Sequence, residues 1–161
     1  MDEPANDDDG VLFTAIYPAL RRFAAVVAPL DLDPDDLVQE AVARALRLGP
    51  LHELDRPAAY LRRTMVNLTA NHNRTRGRER RANVRIAGAA SDQPTADYPS
   101  DLTDLDRLDP SDRAALYLAD IERLPLAAVA DALGTSAPAA RARVSRARRR
   151  LRAALAEGGE R

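Results

Sequence analysis

The chain has 161 residues and contains no cysteine, no lysine and no tryptophan. Without cysteine there is neither a disulfide framework nor a thiolate metal site, so any redox sensing must reside in a partner. The two histidines, His52 and His72, lie far apart and outside any metal-spacing motif, so no metal ion is expected. There is no glycine-rich phosphate loop, no cysteine nucleophile and no spaced set of His, Asp and Glu. An enzyme is therefore not expected, and no cofactor is implied. No apolar run approaches the ~20 residues of a membrane span, and the acidic opening MDEPANDDDG is unlike a signal peptide. The expectation is a cytoplasmic protein without membrane insertion.

Charge is abundant but unevenly placed. The 24 cations are all arginine, and against 25 acids they leave a net charge of −1. Residues 1–56 carry 12 acids and 5 arginines (−7), whereas residues 57–88 carry 8 arginines and 1 acid (+7). Residues 89–135 return to −7 with 10 acids and 3 arginines, and residues 136–161 reach +6 with 8 arginines and 2 acids. Two separate basic segments, each preceded by an acidic one, point to two contacts with a polyanion.

Apolar residues recur at helical spacing throughout, and no strand-like alternation competes with them. The fold class is all-α, with two small helical domains joined by a flexible linker. Residues 1–10 are expected to be a disordered acidic tail. The first helix reads from about Val11 to Ala28, with Pro18 marking a kink or break. The second is capped by Asp33 before Pro34, carries Leu37, Ala41, Ala45 and Leu48 on one face, and stops at Gly49-Pro50. The third starts near Pro57, turns Ala58, Leu61, Met65 and Leu68 inward, and runs into the arginine-rich stretch. The first domain thus spans 11–86. Residues 87–106 lack apolar periodicity and read as the linker.

The second domain spans 107–156, with 157–161 as a tail. Asp109-Pro110 starts one helix, Pro125 a short one, and Gly134 supplies a tight exit. Ser136 or Thr135 then caps a last long helix. A short helix, a glycine turn and a longer helix make a helix-turn-helix. On the long helix, Ala140, Val144, Ala147, Leu151 and Leu155 form a packing stripe. Seven arginines lie between 141 and 152 with no acid among them, a density that self-repulsion disfavours unless an anion is bound. Set in a major groove, the helix would present Arg141, Ser145 and Arg146 to bases. Arg143 lies beside that face, and Arg148, Arg149, Arg150 and Arg152 would follow on phosphates.

Three stretches in order resemble a known family. Asp35-Asp36-Leu37-Val38-Gln39-Glu40 is similar to the Asp-Leu-Val-Gln-Glu signature of sigma region two. Pro57-Ala58-Ala59-Tyr60-Leu61 with Val66-Asn67 resembles the helix that follows it. Ser136 through Ala147, containing Ser145-Arg146-Ala147, resembles the recognition helix of region four. The resemblance is to bacterial sigma factors of the extracytoplasmic-function (ECF) type and covers about residues 10–156. It implies a promoter-specificity subunit whose partners are core RNA polymerase (its β′ and β subunits), promoter DNA and, commonly in the family, a cognate anti-sigma factor. It implies that Asp36, Leu37, Gln39 and Glu40 meet polymerase. Arg62, Arg63, Asn67, Asn71 and Arg74 would meet the minus-ten element. Ser136, Arg141, Arg143, Ser145, Arg146 and Arg149 would meet the minus-thirty-five element.

The chain departs from the family pattern in places. Glu122-Arg123-Leu124-Pro125 stands where a glycine usually precedes the short helix, and Pro138-Ala139-Ala140 replaces a common Gly-Thr-Val. Tyr60 stands where tryptophan is frequent, and Asn71 where Asp is common. Two other readings stand beside the leading one at this point. One is a free-standing helix-turn-helix regulator, which would bind a two-fold site without polymerase. The other is a sigma-like accessory protein without promoter-opening activity.

Overall fold

Three helices begin with the same device, a polar residue just ahead of a proline-containing first turn. Asp33 accepts the Asp35 N–H at 2.7 Å, Asp109 accepts the Asp112 N–H at 2.9 Å, and Ser136 Oγ accepts the Ala139 N–H at 3.3 Å. Each satisfies a donor that has no partner inside the helix, and Pro34, Pro110 and Pro138 sit where a missing N–H does no harm. The computed structural model describes residues 5–87 and 108–158. In chain order the helices are α1 (Ala5–Val27), α2 (Pro34–Leu46), α3 (Pro57–Ala87), α4 (Pro110–Leu116), α5 (Leu126–Leu133) and α6 (Ala137–Gly158). A short 3-10 turn, Leu51–Glu53, lies between α2 and α3, and a wider π turn, Tyr117–Ile121, extends α4. Among the described residues there is no strand. The expected linker, 87–106, lies outside the described residues except for residue 87.

Several sequence expectations are corrected. The first helix begins at Ala5, so residues 5–10 are helical and not part of a disordered tail. Asp9 explains why. Its carboxylate accepts the Leu51 and His52 N–H groups at 3.1 and 2.9 Å and His52 Nδ1–H at 2.7 Å, tying the start of α1 to the 3-10 turn. Pro18 does not break α1. Thr14, whose carbonyl loses its partner there, is exposed, so water can serve that carbonyl. The segment Asp8–Val27 is long and apolar enough to pass as a membrane span, contrary to the sequence reading. In the fold one side of this helix packs on the core, with Leu20, Phe23, Ala24 and Val27 completely covered.

The packing stripes are also displaced at their ends. α2 stops at Leu46, so Leu48 is exposed, and Val38 takes an inward place beside Leu37, Ala41 and Ala45. On α3, Leu61, Met65 and Thr69 are fully covered, while Ala58 and Leu68 are only half-buried. On α6, Ala140, Val144 and Ala147 are buried as expected, but Leu155 is exposed and Ala154 is covered instead.

The two helical domains share one apolar core. Leu20, Phe23 and Val27 of α1 and Leu61 and Met65 of α3 cluster with Ala114, Leu118, Val129 and Val144 of the second domain. Phe23 meets Tyr117 edge-on with ring centroids 6.0 Å apart. Arg113 is buried on α4 and donates from Nη2 to the carbonyl of Val27, the last residue of α1, at 3.0 Å. That carbonyl belongs to a helix end, where four acceptors lack intrahelical donors and the dipole is negative, so a guanidinium is doubly suited to it.

Two turns carry left-handed backbone. Gly134 closes α5 at φ 64 and ψ 38, and the Thr135 N–H reaches back to the Ala130 carbonyl at 2.9 Å. Arg123 also has positive φ, at 53. It stands in the stretch where the resembled family uses glycine, two residues past the π turn, and it is exposed. A non-glycine residue in this region costs about 1–2 kcal/mol, whereas extra freedom in the unfolded chain costs a new glycine about 0.4–1 kcal/mol. Arg123→Gly is therefore expected to stabilise the chain by about 0.5–1 kcal/mol, raising Tm by ~1–4 °C. An unchanged or lower Tm in thermal unfolding would contradict this.

The Asp9–His52 tie gives a pH dependence. Burial opposes the Asp9 charge, but hydrogen bonds from the backbone and ring of His52 and from Leu51 outweigh it and hold the carboxyl below its ordinary value. The hydrogen bond to Asp9 pushes His52 up. Stabilisation from Asp9 is present above about pH 4 and is lost as pH falls through its lowered pKa. That from His52 is present below about pH 6.5 and is lost as pH rises through its raised pKa. The tie is thus complete between those limits. In an NMR titration, Asp9→Asn should bring His52 back toward the ordinary histidine value, and an unmoved titration would count against the tie.

Candidate nucleic-acid interface

At about 100° per residue, α6 divides its arginines into two sets. Arg143 and Arg150 flank one edge of the buried stripe, and Arg148 flanks the other. All three are held by acids of the α4 region. Asp112, whose side chain is only 2% exposed, accepts Arg143 Nη1 at 3.2 Å and Arg150 Nη1 at 2.5 Å, with Asp109 3.8 Å from each. Arg148 is paired with Asp120 at 2.5 Å, and that hydrogen bond and charge raise its pKa above the ordinary value. Arg141, Ser145, Arg146, Arg149 and Arg152 point away from the body of the protein. None of these four arginines has an acid partner among the described residues. The outward face is a strip of cations with a hydroxyl in its midst, a suitable surface for a polyanion.

On α3, Asn67, Asn71 and Arg74 recur at intervals of four and three and are all exposed. Arg74 Nη2 donates to Asn71 Oδ1 at 2.6 Å, which orients the amide. Arg78 and Arg81 continue the same face toward the helix end. With Arg74 and Arg143 they line an open cleft that reaches Asp109 and Pro110. On α2, Asp36, Gln39 and Glu40 are exposed on one side. Arg44 pairs with Glu40 at 2.7 Å and, through that hydrogen bond, holds its carboxyl below the ordinary value. Asp35 faces inward. It accepts Tyr17 Oη–H at 2.5 Å and Arg21 Nε–H at 3.0 Å, which fixes the start of α2 against α1. Among the described residues no cluster of three His, Asp or Glu side chains could hold a metal ion.

The comparisons with known proteins agree with this layout. The family model for Sigma-70 region 2 matches residues 12–79, and that for Sigma-70, region 4 matches residues 105–151. The chain belongs to the sigma-70 family. Regions 2 and 4 joined by a short connection make it a sigma factor of the ECF type, a transcription initiation factor that is non-catalytic as a family. Among solved structures, the sigma factor RpoE from Bartonella quintana, crystallised with the anti-sigma factor NepR, superposes with a TM-score of 0.66. The two chains are 24% identical over 92% of this one and 96% of the other, a likeness of fold. No curated protein matches the sequence.

In this sigma factor the sequence-named residues fall into separate groups. Asn67, Asn71 and Arg74 share a face, as do Arg141, Ser145 and Arg149, with Arg146 beside them. Ser136 is exposed and caps α6, leaving its hydroxyl proton available. Arg143 departs from the expectation because Asp112 and Asp109 engage it at the edge of the stripe. Leu37 is 2% exposed, so it supports the α2 surface from beneath and cannot itself touch a partner. Arg62 is nearly covered, being only 11% exposed and bonded to Glu122, and Arg63 lies over the Tyr60 ring. The sequence reading missed Asp112 as the acid that sorts the arginines of region 4. Its partners lie 31 and 38 residues away, beyond any local pattern.

Asp112→Asn removes the charge that both arginines share, and hydrogen bonds to charged groups contribute about 1.5–3 kcal/mol each when well covered. With Arg143 and Arg150 partly exposed, a loss of about 1–3 kcal/mol in urea unfolding is expected. Asp109→Asn keeps the cap and breaks only the 3.8 Å contacts, so it should change stability by less than about 0.5 kcal/mol. Equal effects of the two variants would contradict the assignment.

Proposed function

We propose that this sigma factor brings core RNA polymerase to promoters by dividing the work among three surfaces. The exposed side of α2, with Asp36, Gln39 and Glu40 over a buried Leu37, offers acceptors to basic groups of the polymerase β′ subunit. The Asn67–Asn71–Arg74 strip of α3, extended by Arg78 and Arg81, takes the non-template strand of the minus-ten element, its amides hydrogen-bonding to bases and its arginines neutralising phosphate. The outward face of α6 lies in the major groove of the minus-thirty-five element, with Ser136, Arg141, Ser145 and Arg146 toward base edges and Arg149 and Arg152 toward phosphates.

The observation that carries this reading is the sorting of arginines on α6. Those beside the core are neutralised within the domain, while those facing outward are not. A merely solvated helix would have no reason to keep four unpaired cations on one face. By analogy with the crystallised relative, an anti-sigma factor is a fitting further partner. The cytoplasm, where polymerase and promoter DNA reside, is the compartment this function requires.

Run-off transcription from a genomic fragment pool, using core polymerase with and without the protein, tests the proposal. New transcripts whose start sites share paired upstream elements are expected. Binding to core without new transcripts would instead favour an accessory protein. Arg141→Ala and Arg146→Ala should each cost ~1–3 kcal/mol of affinity at the cognate element, and an unchanged promoter profile in both would overturn the α6 assignment.

A further inference from the structure

The cleft between the second half of α3 and the start of α4 is built from arginines on two walls. Arg74, Arg78 and Arg81 recur at intervals of four and three on one face of α3, and Ser111 of α4 and Arg143 of α6 line the other side of about 670 Å³ of open space. Arg78 and Arg81 are exposed and have no acid partner among the described residues. Arg74 uses Nη2 on Asn71 and Arg143 uses Nη1 on Asp112, which leaves each guanidinium further N–H donors. Asp109 is the one acid among the described residues of the lining, so four arginines against it leave the cleft strongly positive. Like charges at these spacings on a helix repel one another, and a bound anion relieves that repulsion.

Gly77 lies on the same face, within the lining. A glycine inside a helix is unfavourable, and a common reason for one is a neighbour too close for a side chain. Here a Cβ would meet no atom within 4 Å. Packing does not ask for glycine at this position, whereas an open cleft does, because a side chain there would take up its space.

We propose that this cleft binds a compact oligophosphate, a chain of two or three linked phosphates that is either inorganic or carried by a nucleoside. A guanidinium presents a fork of N–H donors that matches two oxygens of a phosphate, and it stays charged. From Arg74 to Arg81 the helix rises about 10 Å, a span that one phosphate cannot cover and several linked ones can. The volume falls among those of small-molecule sites, about 300–1,000 Å³, but the lining suits a polyanion and not an apolar ligand. A nucleic-acid strand laid along α3 needs only the α3 wall. Ser111 and Arg143 add a second wall, which fits a ligand short enough to enter. The site goes beyond the promoter reading above, and only its consequence rests on that reading: Arg74 serves both, so an oligophosphate in the cleft excludes the minus-ten strand.

Isothermal titration calorimetry of the full chain with inorganic tripolyphosphate, at fixed ionic strength, tests the site, with ATP as a second probe. One ligand per chain is expected. Tighter binding of ATP assigns the cleft to a nucleotide, and equal or weaker binding assigns it to the phosphate chain alone. Gly77→Leu fills the cleft, alters no charge and favours the helix, so it should weaken binding at least about tenfold. Arg143→Gln, on the second wall, should weaken it about fivefold. Arg141→Ala combined with Arg146→Ala, on the outward face of α6, should change it less than about twofold. If Arg143→Gln, which also gives up a bond to Asp112, loses its helical circular-dichroism signal, Gly77→Leu decides alone. Tripolyphosphate should also release a labelled minus-ten single strand from the unaltered protein but not, at the same concentration, from Gly77→Leu.

No binding at millimolar tripolyphosphate overturns the proposal, as does binding that Gly77→Leu leaves unchanged. An equal loss in the α6 double variant also overturns it, since the attraction would then be to unpaired arginine in general. Equal release of the strand from both proteins has the same meaning. If the strand binds neither protein, the minus-ten reading fails instead, and the calorimetry still decides the cleft.

Discussion

A helix that carries seven arginines in twelve residues cannot lie against an apolar core until the charges bordering that core are neutralised. In α6 the neutralisation is done by a few carboxylates of the α4 region. Asp112 is almost wholly withdrawn from water and would be costly there as a lone charge, but two guanidinium groups converge on it. On the opposite edge Asp120, partly exposed, neutralises Arg148 alone. With both borders settled, Ala140, Val144 and Ala147 can close on the core, and the remaining arginines are left pointing outward. The surface proposed to face DNA follows from this arrangement.

The acidic blocks serve the same economy of charge across the molecule. Asp35 accepts Tyr17 and Arg21 of α1, and Asp31 is met by the His72 ring and the Arg76 guanidinium of α3. Glu122 and Asp131 receive the arginines around the start of α3. Many acid–arginine pairs among the described residues join segments distant in sequence, and the outward arginines of α6 stand outside them.

What was legible in the sequence is local. The caps at Asp33, Asp109 and Ser136 and the left-handed Gly134 involve residues within a few positions of one another, so residue type and spacing suffice. The inward faces of α2, α3 and α6 were legible at their centres. They failed at Leu48 and Leu155, where the helix had ended or the neighbouring helix no longer covered it, and periodicity cannot register either. The site was legible as two basic helices but not as a division between tied and untied arginines. That division depends on Asp112, Asp120 and Glu122, each 28 to 60 residues from the group it binds. The composition showed the acids only as block totals. For the same reason Asp9 was assigned to a tail, since its partners lie 42 and 43 residues on.

The bond from Arg113 to the carbonyl of Val27 spans 86 residues. On a ribosome adding about 5–20 residues per second, several seconds separate the appearance of the acceptor from that of its donor. Through that interval the nascent region 2 presents the carbonyl end of α1 and the apolar side of Phe23 with their later cover still unmade. The first region is thus born accessible, and only a completed chain can hide it.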